Sequence, residues 1–185
     1  LHIVGKYRID ICQEHAFTGG SADNAFSYDF EYFIDSPYSA STVVGIKIFE
    51  DEELSDSVVI GASGGATGLH ENAVIFEEDR FLICCADTIF CLSIPDLVLR
   101  WQVKADEITC FEIFKYQSNY IVHGEIYVTC LDRNGDIIWQ RMGRDIFVVM
   151  DNKPAFVLEK DYIIVRDFNN EIYKFGYDGN VVDDE

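Results

Sequence analysis

Leu131-Asp132-Arg133-Asn134-Gly135-Asp136-Ile137-Ile138-Trp139 decides the fold of this chain. An apolar strand end runs into a polar turn with glycine, then into a second apolar run that closes on tryptophan. Glycine supplies the backbone angles that a tight turn needs, and β-branched and aromatic residues fill the flanking strands. Two other segments share the plan. One passes from Asp79-Arg80-Phe81-Leu82 through Phe90-Cys91-Leu92 and Pro95-Asp96 to Leu99-Arg100-Trp101. The other passes from Asp161-Tyr162-Ile163-Ile164 through Tyr173-Lys174-Phe175 and Tyr177-Asp178-Gly179 to Val181-Val182. In the central segment, Asn119-Tyr120-Ile121-Val122 is the matching first strand.

Trp101 and Trp139 are 38 residues apart, and Leu131 and Phe175 are 44 apart. These spacings fall in the range of one four-stranded propeller blade. The units resemble the blades of quinoprotein-like (PQQ-type) β-propeller repeats, in which an Asp-x-x-Gly turn precedes a strand ending in Trp. The resemblance covers the last 105 or so residues. It implies propeller-like packing and says nothing about a quinone. In the first unit Pro95-Asp96 stands in place of the glycine turn, and the third unit ends without Trp.

Elsewhere the apolar residues recur with period two or in short clusters, and no window carries a helical stripe. The pattern predicts strands over 6–12, 28–34, 42–49, 57–62, 73–76, 80–85, 88–93, 97–103, 108–115, 119–131, 136–141, 145–150, 155–158, 161–167, 171–177 and 180–182. Asn134-Gly135 and Asp178-Gly179 read as two-residue hairpin turns. The expected fold is all-β: an antiparallel meander with propeller-like repeat units plus an N-terminal β-sheet, with a β-sandwich as the alternative. The 185 residues form one domain on this reading, with N-terminal strands in 1–78 and three blade-like repeats in 79–185.

Composition excludes several classes. The formal charge is −19, from 33 acidic and 14 basic residues, which repels a phosphate backbone and argues against nucleic-acid binding. The surplus is concentrated in residues 1–99, which hold 17 acids and 4 bases. Glu50, Asp51, Glu52 and Glu53 form its densest run, a solvated loop between strands and the candidate surface for a basic protein partner. No run approaches the ~20 apolar residues of a membrane-spanning helix, and Leu1–Lys6 lacks the apolar core of a signal peptide. The six cysteines lie mostly in apolar runs and contain no CxxC. Cys84 and Cys85 should point to opposite faces of a strand. This predicts reduced thiols and a cytoplasmic location.

Two polar motifs invite a chemical reading. His70-Glu71 follows the glycine-rich stretch 61–68, and His123-x-Glu125 places both side chains on one face of a strand. Imidazole and carboxylate suit a divalent metal such as zinc, so His70, Glu71, His123 and Glu125 are the candidate ligands of a metal-dependent hydrolase. Against this stands the absence of any recognised metal spacing. The glycine stretch itself lacks the Lys of a P-loop and a following helix, so it reads as a turn before it reads as an anion cradle or a ligand-sensing loop. No cofactor is expected on the main reading, which is a non-enzymatic binding module, immunity-like toward a basic partner. The segments Gly64-Gly65-Ala66-Thr67-Gly68-Leu69-His70-Glu71-Asn72 and Ile121-Val122-His123-Gly124-Glu125, with Trp139 and Asp145-Ile146-Phe147, are also similar to a family of uncharacterised bacterial proteins. That likeness brings no known activity.

Overall fold

The computed structural model describes residues 1–34, 37–151 and 153–182, and these are built from strands arranged in four sheets. Sheet I contains β1 (His2–Val4), β2 (Tyr7–Gln13), β3 (Phe30–Phe33), β4 (Thr42–Glu50) and β5 (Glu53–Ala62), in the order β1-β2-β4-β5-β3. Sheet II is the meander β6 (Val74–Phe76), β7 (Arg80–Cys85), β8 (Thr88–Ser93) and β9 (Leu99–Lys104). Sheet III is β10 (Cys110–Tyr116), β11 (Asn119–Gly124), β12 (Tyr127–Leu131) and β13 (Ile137–Met142). Sheet IV is β14 (Phe156–Leu158), β15 (Tyr162–Arg166) and β16 (Ile172–Gly176), with a fourth strand begun by a single bridge from Phe175 to Val181.

The sheets stack in chain order, and sheets II and III each bury one face against the sheet before and one against the sheet after. Strand alternation sorts the side chains between successive cores. In β7, Phe81, Ile83 and Cys85 enter the core shared with sheet I, while Leu82 and Cys84 enter the core shared with sheet III. In β11, Tyr120 and Val122 face sheet II and Ile121 faces sheet IV. Cys84 and Cys85 therefore lie on opposite faces, and all six cysteines are free thiols. Three buried clusters result, and none of them joins sheet IV to sheet I among the described residues. The β-sandwich alternative is thereby set aside: the arrangement is a stack of small propeller-like sheets, not two facing ones.

Sheet register confirms the repeat and moves one of its columns. Phe81 pairs with Leu92, Tyr120 with Leu131, and Ile163 with Phe175. Tyr120, not Ile121, is thus the counterpart of Phe81. The fourth strands also correspond. Trp101 pairs with Cys91 and Trp139 with Cys130, and in each case the register shifts at the next residue.

Each indole then crosses into the following sheet. A Cβ on Gly135 would fall 2.6 Å from the Trp101 ring, and one on Gly179 would fall 2.7 Å from the Trp139 ring. Both glycines have positive φ, at 88° and 83°. Only the glycine of each Asn-Gly or Asp-Gly pair does so, which corrects the expectation of two-residue hairpin turns. In the first of these turns a longer loop closes from Asp132 to Asp136, and the Asp132 carboxylate accepts from the Asn134 and Asp136 amides. Four residues before Trp101, where the central unit has Gly135, the first unit has Leu97 at φ 51°. Sheet I sends no tryptophan across, so Leu97 retains a side chain and buries it in the core between sheets I and II.

Other expectations are adjusted. Residues 119–131 form two strands joined by a tight turn, 145–150 is a loop that buries Phe147, β1 was not expected, and β6 belongs to sheet II although it lies within 1–78. Between β2 and β4 in the chain, β3 runs parallel to β5, Tyr28 lies against Gly45 and Phe33 lies against Gly61. On the face of sheet IV turned away from sheet III, Arg166 and Lys174 stand where sheet III has His123 and Cys130, and Arg166 pairs with Asp151 at 3.0 Å.

The two tryptophans differ in one bond. Trp139 Nε1 donates to the Tyr177 carbonyl at 3.1 Å. The matching carbonyl for Trp101, that of Arg133, accepts instead from Arg80 Nη1 at 2.9 Å, and the buried Trp101 Nε1 has no hydrogen-bond partner among the described residues. Phenylalanine keeps most of the ring and removes the N–H. Denaturant unfolding should therefore show Trp139→Phe losing about 1 kcal/mol more stability than Trp101→Phe; equal losses would mean that the indole bond contributes nothing.

Candidate functional site

The glycine-rich stretch after β5 is a connector. Gly65 N donates to the Ile108 carbonyl at 2.7 Å, and Thr67 N to Thr42 Oγ1 at 3.2 Å. A Cβ on Gly64 would fall 2.4 Å from the Ile108 carbonyl, and one on Gly65 1.9 Å from Thr109 Oγ1. The glycines are there for close approach to the β9–β10 loop, and these two amides are committed within the fold. Ala66, Thr67 and Gly68 form one wall of a cleft of about 390 Å³.

The four candidate metal ligands are not assembled into a ligand set. His123 on β11 is 4% exposed. Its Nε2 lies 3.1 Å from the Phe147 carbonyl and its Nδ1 2.8 Å from Glu112 Oε2, while the ring stacks on Phe156 with centroids 4.8 Å apart. Both ring nitrogens thus lie within hydrogen-bond distance of protein oxygens and are engaged inside the fold. His70 and Glu71 are exposed beside the short 3₁₀ turn Glu71–Ala73. From that turn it is Asn72 that reaches inward, donating to Glu112 Oε1 at 3.1 Å. Glu125 accepts from Thr109 Oγ1 at 2.9 Å. Among the described residues no group of three or more His, Cys, Asp or Glu side chains has metal-binding geometry.

Of the four, His123 belongs to a line of bonds that joins the sheets. Asn72 before sheet II, Glu112 and His123 in sheet III, and the Phe147 carbonyl before sheet IV are bonded in series. Burial opposes ionisation of Glu112, but the bonds from His123 and Asn72 outweigh it and lower its pKa. Spacing along the chain could not disclose Glu112, because it meets His123 only through the β10–β11 register.

A second buried carboxylate, Asp106, lies 1% exposed between sheets II and III. Its Oδ1 accepts from the amides of Ile108 and Thr109, and its Oδ2 from those of Ile126 and Tyr127, at 2.8–3.1 Å. Gly124 adjoins it so closely that a Cβ would fall 2.2 Å from Oδ2. Four backbone donors account for the burial of this charge.

At the opposite side of the same junction, Arg80 donates to Glu77 at 2.8 Å and to the Tyr120 hydroxyl at 2.6 Å, and Lys115 donates to Glu77 at 2.5 Å. Burial raises the Glu77 pKa, but bonds from Lys115, Arg80 and Tyr120 prevail and bring it down to about 2.

The acidic run is the β4–β5 hairpin tip. Glu50 pairs across the ladder with Glu53, and Asp51 and Glu52 take φ 49° and 67°, as a tight two-residue turn requires. Lys6 holds Glu50, and Arg8 Nη1 holds Glu52 at 3.0 Å. Asp51 and Glu53 have no ionic partner among the described residues.

The buried thiols are poor nucleophiles. Burial, ahead of every other influence, pushes Cys85 up to about 12 and Cys91 and Cys130 up to about 11, and Cys84 and Cys110 also upward.

No family model matches the chain, and no curated protein matches it. Solved structures similar to it include the computationally designed Ika8 protein, at 11% identity and a TM-score of 0.52, over 78% of this chain and 45% of that one. The AfRom2 CNH domain follows at 14% identity and a TM-score of 0.48, over 78% and 47% of the two chains. The WD40 beta propeller domain of Doa1 follows at 13% identity and 0.41, over 78% and 46%. The chain spans less than half the length of each. No helix among the described residues is long and apolar enough to cross a membrane.

Because Glu77 is held ionised, its pairing should stabilise the fold fully above the ordinary carboxylate range and lose that contribution as pH falls through about 2. Thermal melts between pH 2 and 7 should show Glu77→Gln less stable at neutral pH and flatter toward acid than the wild type. Parallel curves would show that Glu77 does not govern this limb.

Proposed function

We propose that the chain is a non-enzymatic interaction module that holds a basic partner against sheet I, as an immunity protein would hold a basic toxin. The observation that carries this reading is the distribution of charge. Residues 1–62 contain 11 acids and 3 bases, and the hairpin tip presents Asp51 and Glu53 without ionic partners beside the paired Glu50 and Glu52. A one-signed field of this kind steers an oppositely charged partner and speeds encounter more than it strengthens the final complex. The upward-shifted thiols support a binding role over nucleophilic catalysis.

A deca-lysine peptide serves as the probe. Its association rate with the wild type should fall steeply as ionic strength rises, and Asp51→Asn/Glu53→Gln should slow association and flatten that slope with little change in dissociation. Coincident salt curves for the two proteins would reduce the hairpin tip to a solubilising turn.

A further inference from the structure

We infer that the cleft between the residues after β2 and the glycine-rich connector is the seat of one lysine or arginine side chain of that partner, with Glu14 as its counter-ion. The inference rests on the basic-partner reading and adds a place and a mode of recognition to it.

The cleft holds about 390 Å³, within the range of about 300–1,000 Å³ in which proteins take small ligands. Phe17 and Tyr38 provide aromatic walls, Gln13, Glu14 and His15 the polar side, and Thr67 and Gly68 the connector wall, with no Lys or Arg lining it among the described residues. Glu14 is fixed in place. Its amide donates to the Val43 carbonyl at 2.9 Å, and its Oε1 accepts from the Tyr28 hydroxyl and from Cys12 Sγ. Its Oε2 accepts no bond among the described residues. Gln13 Nε2 donates to the Thr67 carbonyl at 2.8 Å, which leaves the amide oxygen as an acceptor.

An ammonium or guanidinium requires acceptors around its head and tolerates aromatic faces along its stem. An anion would meet the Glu14 carboxylate in this cleft. The same segment already shows the preferred chemistry. Lys47 Nζ sits 3.5 Å from the centroid of Phe26 and 5.6 Å from that of Tyr28, the ring whose hydroxyl holds Glu14.

The test uses deca-lysine and its Nε-acetylated counterpart, with calorimetric titration and amide shifts in the wild-type protein. Deca-lysine should bind and shift the Thr18 and Gly68 amides, whereas the acetylated peptide should not bind. Glu14→Gln keeps an oxygen for Tyr28 and should weaken binding about tenfold, mainly through faster dissociation. Phe17→Ala should weaken it several-fold. Binding that survives Glu14→Gln unchanged, or that shifts only hairpin amides near Asp51, overturns the cleft while leaving the basic-partner reading intact. No binding of deca-lysine to the wild type overturns both, and equal binding of the acetylated peptide overturns the cation as the recognised group.

Discussion

A tryptophan laid on a glycine of the next sheet is the contact on which this architecture depends. Sheets II and III each end in a strand whose indole leaves its own sheet and covers the turn of the following one. The turn must pass within van der Waals distance of a flat ring, so it must lack a Cβ, and it must also take positive φ. Glycine alone meets both conditions without cost. The pairing fixes the spacing and the rotation of one sheet on the next, and the alternating side chains of the central strands then fill the gap as a close-packed layer. Where no indole arrives, at the junction of sheets I and II, the position carries Leu97 instead, and its side chain fills the space.

Polar groups complete the junctions that apolar packing begins. Asp106 gathers four amides between sheets II and III, and Arg80, Glu77, Tyr120 and Lys115 join the same sheets elsewhere. The series Asn72, Glu112, His123 and the Phe147 carbonyl runs onward to the edge of sheet IV. Each buried charge has opposite charge or several donors around it, as burial demands. Of the four residues that look like a metal site from their spacing, His123 is engaged in holding sheets together, while His70 and Glu71 stay exposed.

Much of the fold was legible because period-two alternation and the Trp–glycine spacing are local signals. β7 and β8 fall within the predicted limits, and the opposite facing of Cys84 and Cys85 follows from alternation alone. The illegible parts depend on contacts distant in the chain. The turn at Gly124 has no turn dipeptide, since its glycine is required by Asp106 of a neighbouring strand end. Residues 145–150 have strand composition but close as a loop around buried Phe147, whose amide and carbonyl bond to Glu125 and His123. Glu112, Asp106 and Glu14 are ordinary acids in an acid-rich sequence until the register and the 14–41 segment are known.

The central claim is that Gly135 and Gly179 are needed for docking and not only for backbone angle. Gly5 separates the two demands, because it has φ 58° and open space where its Cβ would lie. Equilibrium unfolding of Gly135→Ala, Gly179→Ala and Gly5→Ala measures the difference directly. Each docking variant should lose about 2 kcal/mol more than Gly5→Ala, because a methyl group must push the indole out of its seat. Equal losses at all three positions would contradict it.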